Sequence, residues 1–289
     1  MGRLLCVETE RDEKREAVID LDYTLDADLK YVLISLYVLG FDRARLSSKK
    51  KISSTMRRHR VSLLNYAPGY EIVEEGENFV DVAIAREVED PIKALSREFN
   101  SVFTLFKYAI EALERAPSVP DENVDAIEEL DDEVDRAWFE VERTVYKSIG
   151  RTYLRSAESR SLIPLLLVSR CLERLSDHIV QLVQEAHASP IQQYGIIAQI
   201  RSLLLSYHDI VELFKEVLEK RESTRDTNIV TKLINIIENK KSYKHGVIPR
   251  LRKEGGILIA YHVMRIYDCI TDIAEVVTNV ILDSPYSKI

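Results

Sequence analysis

Residues 174–179 read RLSDHI, and 91 residues further on residues 265–270 read RIYDCI. Each string falls in the third helical segment of a set of three, and a proline at position 190 separates the two sets. A similarity that recurs at the same place in two sets indicates duplication of a three-helix unit. The sequence therefore predicts two three-helix bundles in tandem.

The helical segments are defined by apolar residues that recur with a 3.6-residue period from residue 90 onward. Pro91 stands where a helix begins, and Gly150 stands where one ends. We predict helices over residues 91–115, 121–149, 158–187, 191–221, 224–243 and 248–283.

The region before residue 90 has a different pattern. Short alternating segments predict strands over residues 2–9, 17–21, 41–46, 71–75 and 79–85. A helix is predicted from Asp26 to Leu39, with Gly40 at its C-cap. We expect a small α+β layer in which the helix covers one face of the sheet.

The predicted fold class is mainly α, with tandem three-helix bundles behind a small α+β region. The α+β region spans residues 1–88, the first bundle residues 90–188 and the second bundle residues 190–284. No stretch approaches 18 uninterrupted apolar residues, so we expect no membrane insertion.

Composition narrows the class of protein. The chain has 289 residues, of which 46% are hydrophobic, so it can bury sizeable cores. Its formal net charge of −8 argues against nucleic-acid binding across the whole surface. The three cysteines are far apart and include no CxxC pair, which is typical of a protein of the reducing cytoplasm.

Two pairs of acids are candidate metal ligands. Asp131 falls on the apolar stripe of its helix, and Asp135 lies one turn later. Glu173 and Asp177 have the same spacing of four residues in the next helix. Antiparallel packing would bring all four carboxylates to one groove, where a cation or an arginine would relieve their repulsion. Oxygen ligands favour Mg, Ca, Mn or Fe over Zn.

Alternatives to metal binding stay open at this point. Acidic runs on helices are usually solvated faces, and these acids could form ion pairs with Arg136, Arg170 and Arg174. A further candidate pair, Asp268 and Asp272, lies in the last helix opposite its main apolar stripe, where a solvated face is favoured.

A basic stretch is the candidate surface for nucleic acid or an acidic partner. It comprises Lys49, Lys50, Lys51, Arg57, Arg58 and Arg60. A solvated basic helix beside the sheet is the alternative. Enzyme activity is not expected, because the sequence has no Glu-x-x-His pair, Gly-rich phosphate loop, GxSxG or HExxH.

Residues 171–178, CLERLSDH, resemble the E/D-x-x-x-D motif of the PhoU family of phosphate-signalling regulators. Glu173 and Asp177 match its acids, with Arg174 and His178 in place. Asp131-x-x-x-Asp135 followed by Arg143 is similar to the middle helix of that family. The resemblance covers residues 90–283.

The resemblance implies a cytoplasmic negative regulator of phosphate uptake that acts through a phosphate ABC transporter or a signalling protein. It also implies iron or another divalent or trivalent metal on the carboxylates. Archaeal relatives often carry an AbrB-like DNA-binding domain, and residues 2–7 look like its closing strand, with the rest truncated or missing. A transcription regulator is thus the alternative function. We expect self-association, as a dimer.

Overall fold

The computed structural model describes residues 5–7, 14–24, 26–52, 64–87, 90–115, 119–151, 156–188, 194–220 and 227–282. The chain divides into two compact units. We call residues 1–94 with 139–162 the sheet unit, and residues 95–138 with 163–289 the helical unit. The domain limits given above from the sequence stay a prediction.

The secondary structure is mainly α with a small sheet near the start, as predicted. The strands are β1 Leu5–Val7, β2 Glu16–Asp20, β3 Arg43–Ser47, β4 Tyr70–Glu75 and β5 Phe79–Ile84. The helices are α1 Asp26–Val38, α2 Pro91–Glu114, α3 Asp121–Arg151, α4 Ser156–Ala188, α5 Tyr194–Lys220, α6 Thr227–Ser242 and α7 Ile248–Leu282. None of the helices in these described ranges is long and apolar enough to cross a membrane.

The sheet has the order β1-β2-β3-β5-β4. Strands β2 and β3 are parallel and are joined by α1, whereas the other neighbours are antiparallel. One face is apolar because buried residues alternate along β2 and β3: Ala17, Ile19, Ala44 and Leu46. On the other face Asp81 is fully buried between Arg43 and Arg45, which both bind its carboxylate.

Helix α1 ends at a glycine, as the sequence predicts. Gly40 has φ +83°, a conformation in which a Cβ would be strained. Its N–H donates to the Tyr37 carbonyl, and the Phe41 N–H donates to the Leu36 carbonyl. These two bonds form a Schellman motif, which satisfies carbonyls that the end of a helix leaves without partners.

Arg143 of α3 completes the same helix end within the sheet unit. Its Nη1 donates to the carbonyls of Tyr37 and Phe41, both at 2.8 Å. Its Nη2 donates to Asp42 Oδ1 at 3.1 Å, and Lys147 binds the same oxygen at 2.7 Å. Burial tends to raise the pKa of Asp42, but the hydrogen bonds from Lys147 and Arg15 outweigh it and lower that pKa.

The helical unit is built around α7, which packs against α5 and α6. Aromatic side chains fill the centre of the unit: Phe99 packs edge-on against Phe214, and the ring of Phe106 lies 5.5 Å from that of Tyr207. The buried Tyr207 hydroxyl donates to the Phe99 carbonyl at 2.8 Å. Its polar atom is thereby satisfied inside an apolar core.

The predicted helix limits from residue 90 onward are confirmed to within a few residues. Helix α2 begins at Pro91 after Asp90, whose side chain accepts from the Ile92 N–H at 2.9 Å as an N-cap. A π-helical turn at Tyr243–Val247 joins α6 to α7. Helix α7 is kinked at Gly256, where φ is +88°.

Replacing Arg143 with alanine is expected to destabilise the protein by about 3 kcal/mol, because the carbonyls of Tyr37 and Phe41 and the Asp42 carboxylate each lose a buried donor. Urea denaturation followed by circular dichroism measures this loss. Arg252→Ala, at an exposed position of α7, is the control and should change the midpoint little. Equal midpoints for the two variants would contradict the anchoring role of Arg143.

Candidate functional site

Helices α3 and α4 pack antiparallel in the helical unit. Gln184 Nε2 donates to Glu128 Oε1 at 2.7 Å near one end of the pair. Near the other end the guanidinium of Arg170 lies 4.7 Å from the centre of the Trp138 ring. Residue numbers thus rise along α3 as they fall along α4. This register sets Asp131 and Asp135 opposite the Glu173–Asp177 turn.

Asp131 is the most perturbed acid of this groove. Its Oδ1 is buried and has no hydrogen-bond partner within the described part of the chain. Burial raises the pKa of Asp131 to about 7, and the charges of Asp135 and Asp177 add to the increase. The neighbouring Ser176 hydroxyl offsets part of it. The carboxyl of Asp131 is therefore partly protonated at neutral pH.

The facing acids on α4 behave in the same way. Burial raises the pKa of Glu173 to about 7, and the charge of Asp177 contributes. Arg170 forms an ion pair with Glu173 at 3.0 Å. Burial also raises the pKa of Asp177, against the opposing charges of Arg170 and Arg174. We call Asp131, Asp135, Glu173 and Asp177 the carboxylate face.

The carboxylate face has the donor chemistry of a hard-cation site, because it offers only oxygen and includes a buried oxygen without a partner. The side chains of the carboxylate face are not yet arranged as a complete set of metal ligands. Within the described residues, no three His, Cys, Asp or Glu side chains converge closely enough to hold a metal ion. A cation would therefore have to draw these side chains closer together.

The predicted pair on α7 is in a different environment. Asp268 is bound by Lys240 of α6 at 2.9 Å and by Arg265 at 3.2 Å. Asp272, one turn later, is exposed. In the second half of the helical unit, Lys240 thus supplies a positive charge to Asp268. In the first half, Arg170 and Arg174 supply positive charge to Asp177, and the charge of Asp177 helps to raise the pKa of Asp131.

The basic stretch is only partly described. Lys51 pairs with Glu77 at 2.9 Å, and the Lys49 ammonium lies 3.4 Å from the Tyr23 hydroxyl. Lys50 is exposed. The predicted Arg57, Arg58 and Arg60 lie outside the described residues. Nucleic-acid binding through this stretch stays a prediction.

Two buried polar residues of the helical unit escaped the sequence analysis. Glu98 of α2 is fully buried and accepts a hydrogen bond from the Ser169 hydroxyl of α4 at 2.5 Å. Its position between Leu95 and Val102 on the apolar stripe was a usable signal. His262 of α7 is also buried, and no local pattern marks it.

Comparison with known proteins gives a family match that spans helices α2 to α4. Residues 95–186 match the PhoU domain, and this span contains the entire carboxylate face. Over this span the chain is therefore similar to the PhoU domain, as its resemblance implied. The match does not extend to the AbrB-like start, which stays a prediction. No curated protein and no solved structure is significantly similar to the chain.

Ionisation of Asp131 and Glu173 is expected to lower the stability of the metal-free protein as the pH rises from about 4 to about 7, because these acids release their protons at higher pH in the folded state than in the unfolded state. The lowered pKa values of His178 and His262 act in the opposite direction, so the comparison is made between variants. Asp131→Asn removes one of these charges. It should therefore flatten the decline and raise the free energy of unfolding at pH 8 by on the order of 1 kcal/mol.

Urea denaturation at several pH values in the presence of a chelator measures this effect. Glu129→Gln, at an exposed position on α3, is the matched control and should follow the wild-type curve. An Asp131→Asn variant that is less stable than wild type at pH 8 would show that the ionised Asp131 carboxylate does not destabilise the folded protein.

Proposed function

We propose that this chain, whose residues 95–186 match the PhoU domain, is a PhoU-like regulator of phosphate uptake and not an enzyme. The observation that carries the proposal is the position of the carboxylate face inside that domain. The resemblance of residues 171–178 to the family motif lies on the same face. Burial raises the pKa of Asp131, Glu173 and Asp177, and perturbed pKa values of this kind are typical of a binding site.

We propose cytoplasmic protein partners, namely components of a phosphate ABC transporter or a signalling protein, and self-association as a dimer. The net charge of −8 favours a partner with a basic surface. It is unfavourable for a polyanion such as DNA, so a transcription regulator acting through Lys49–Lys51 remains the alternative. A mobility shift with duplex DNA at low salt tests that alternative directly.

A carboxylate-bound metal is the second part of the proposal. Asp131, Asp135, Glu173 and Asp177 would hold iron or another divalent or trivalent cation, which would neutralise acids that now repel one another. Asp268 already has Lys240 and Arg265 as counter-charges, so we assign a weaker metal preference to Asp268 and Asp272.

Purified wild-type protein is expected to carry iron or manganese that Asp177→Asn loses, because this change removes one ligand charge from the carboxylate face. Elemental analysis by mass spectrometry measures the content. Asp132→Asn, an exposed neighbour of Asp131, should keep the wild-type level. Metal that is absent from wild type, or unchanged in Asp177→Asn, would end the metal proposal without affecting the PhoU assignment.

Cells that lack this chain are expected to import more radiolabelled phosphate in phosphate-rich medium than cells that contain it, since a negative regulator has been removed. Complementation with wild type should restore low uptake, and complementation with Asp131→Asn and Asp177→Asn combined should not. Glu129→Gln serves as the matched control. Unchanged uptake on removal of the chain would contradict a role in phosphate import.

A further inference from the structure

Packing of the helical unit places two histidines against each other. His178 of α4 and His262 of α7 face one another with 3.3 Å between their Nδ1 atoms. The ring of Tyr261 stands edge-on to His178 and also contacts His262. His262 is 6% exposed, and His178 is half-buried. Neither histidine belongs to the carboxylate face.

We propose that His178 and His262 together bind a late first-row transition metal ion, with Zn²⁺ as the reference ion. Imidazole nitrogen is a preferred ligand of Zn²⁺, Ni²⁺ and Cu²⁺. In a tetrahedral zinc site with Zn–N bonds of about 2.05 Å, two ligating nitrogens lie about 3.3 Å apart. The observed separation of the two Nδ1 atoms is the same.

The protonation state of the pair is suited to metal binding. Burial is the largest cause of a pKa of about 4 for His178, and the neighbouring His262 contributes to it. The charges of Arg265 and Arg174 also lower this pKa, whereas the charge of Asp268 raises it. Burial also lowers the pKa of His262, against the charge of Glu185. An imidazole with its ordinary pKa of about 6.5 is already mostly neutral at pH 7, and the neutral imidazole is the ligand form.

Metal binding changes only the tautomer of one ring. In the hydrogen-bonded pair one Nδ1 carries a proton and the other accepts it. When an ion takes its place between the rings, that proton moves to Nε2 of the same imidazole, and both Nδ1 lone pairs face the ion. No proton is released and no oxidation occurs.

The two histidines would leave coordination positions open. Among the described residues no third His, Cys, Asp or Glu lies close enough to complete the site. Water or a ligand would therefore fill the remaining positions, as in zinc sites that are not purely structural. This predicts weaker and more exchangeable binding than a four-ligand site gives.

A pair of cysteines provides an internal comparison. The 91-residue repeat aligns His262 with Cys171 and His178 with Cys269. The two thiols interact with each other, and burial raises the pKa of Cys171 to about 11 and that of Cys269 to about 12. A thiol binds metal as thiolate, which is scarce here at pH 7. The proposal assigns the ion to the histidines on the 3.3 Å separation of their Nδ1 atoms.

Zinc titration of the metal-stripped full chain by isothermal calorimetry tests the proposal. Wild type is expected to bind one Zn²⁺ that His178→Gln and His262→Gln each weaken by roughly tenfold or more, since each removes a ligand. His208→Gln, at an exposed histidine of α5, is the matched control and should bind as wild type does. Asp131→Asn should also keep this site, which separates it from the carboxylate face.

A second measurement needs no variant. The electron paramagnetic resonance spectrum of the wild-type chain loaded with one equivalent of Cu²⁺ should show coupling to two nitrogen ligands. The proposal is overturned if wild type binds no zinc, if both histidine variants bind zinc as wild type does, if zinc binding disappears in Asp131→Asn alone, or if the copper spectrum shows fewer than two nitrogens. If one histidine variant fails to fold, the other variant and the copper spectrum still test the proposal.

Discussion

The packing of α4 against three other helices fixes the arrangement of the helical unit. Ser169 meets α2 through Glu98, the turn at Ser176 lies beside Asp131 of α3, and His178 meets α7 through His262. Ser169 and Ser176 are fully buried, and their small side chains let neighbouring helices approach closely. Each contact is polar and directional, so a shift of α4 by one turn would leave several buried groups without partners.

This polar packing explains why the two halves of the unit differ despite their related sequences. Asp177 and Asp268 occupy equivalent places in the repeat. Asp268 is neutralised by Lys240 and Arg265, whereas Asp177 shares its groove with Asp131. One half thus satisfies its acid with a lysine that belongs to the chain. The other half leaves an excess of negative charge that only protons, arginines or an external cation can relieve.

Local sequence signals predicted the features that depend on local chemistry. Gly40 ends α1 because only glycine readily takes that backbone conformation, and the position of Asp131 on an apolar stripe marked it as costly. The roles of Arg143 and His262 could not be predicted in this way. Their partners, the carbonyls at the end of α1 and the ring of His178, are distant in sequence. These residues come into contact with their partners only after the helices have packed.

The two candidate sites of the helical unit act on one helix from different sides. The carboxylate face lies between α4 and α3, and the histidine pair lies between α4 and α7. A cation at the first would attract acids that now repel each other across α3 and α4. An ion at the second would replace one hydrogen bond between α4 and α7 with two metal–nitrogen bonds. A ligand stabilises the conformation that it binds best. The size of this stabilisation is set by the difference between its affinities for the two conformations. Occupancy of either site would therefore favour the position of α4 that binds its ion best.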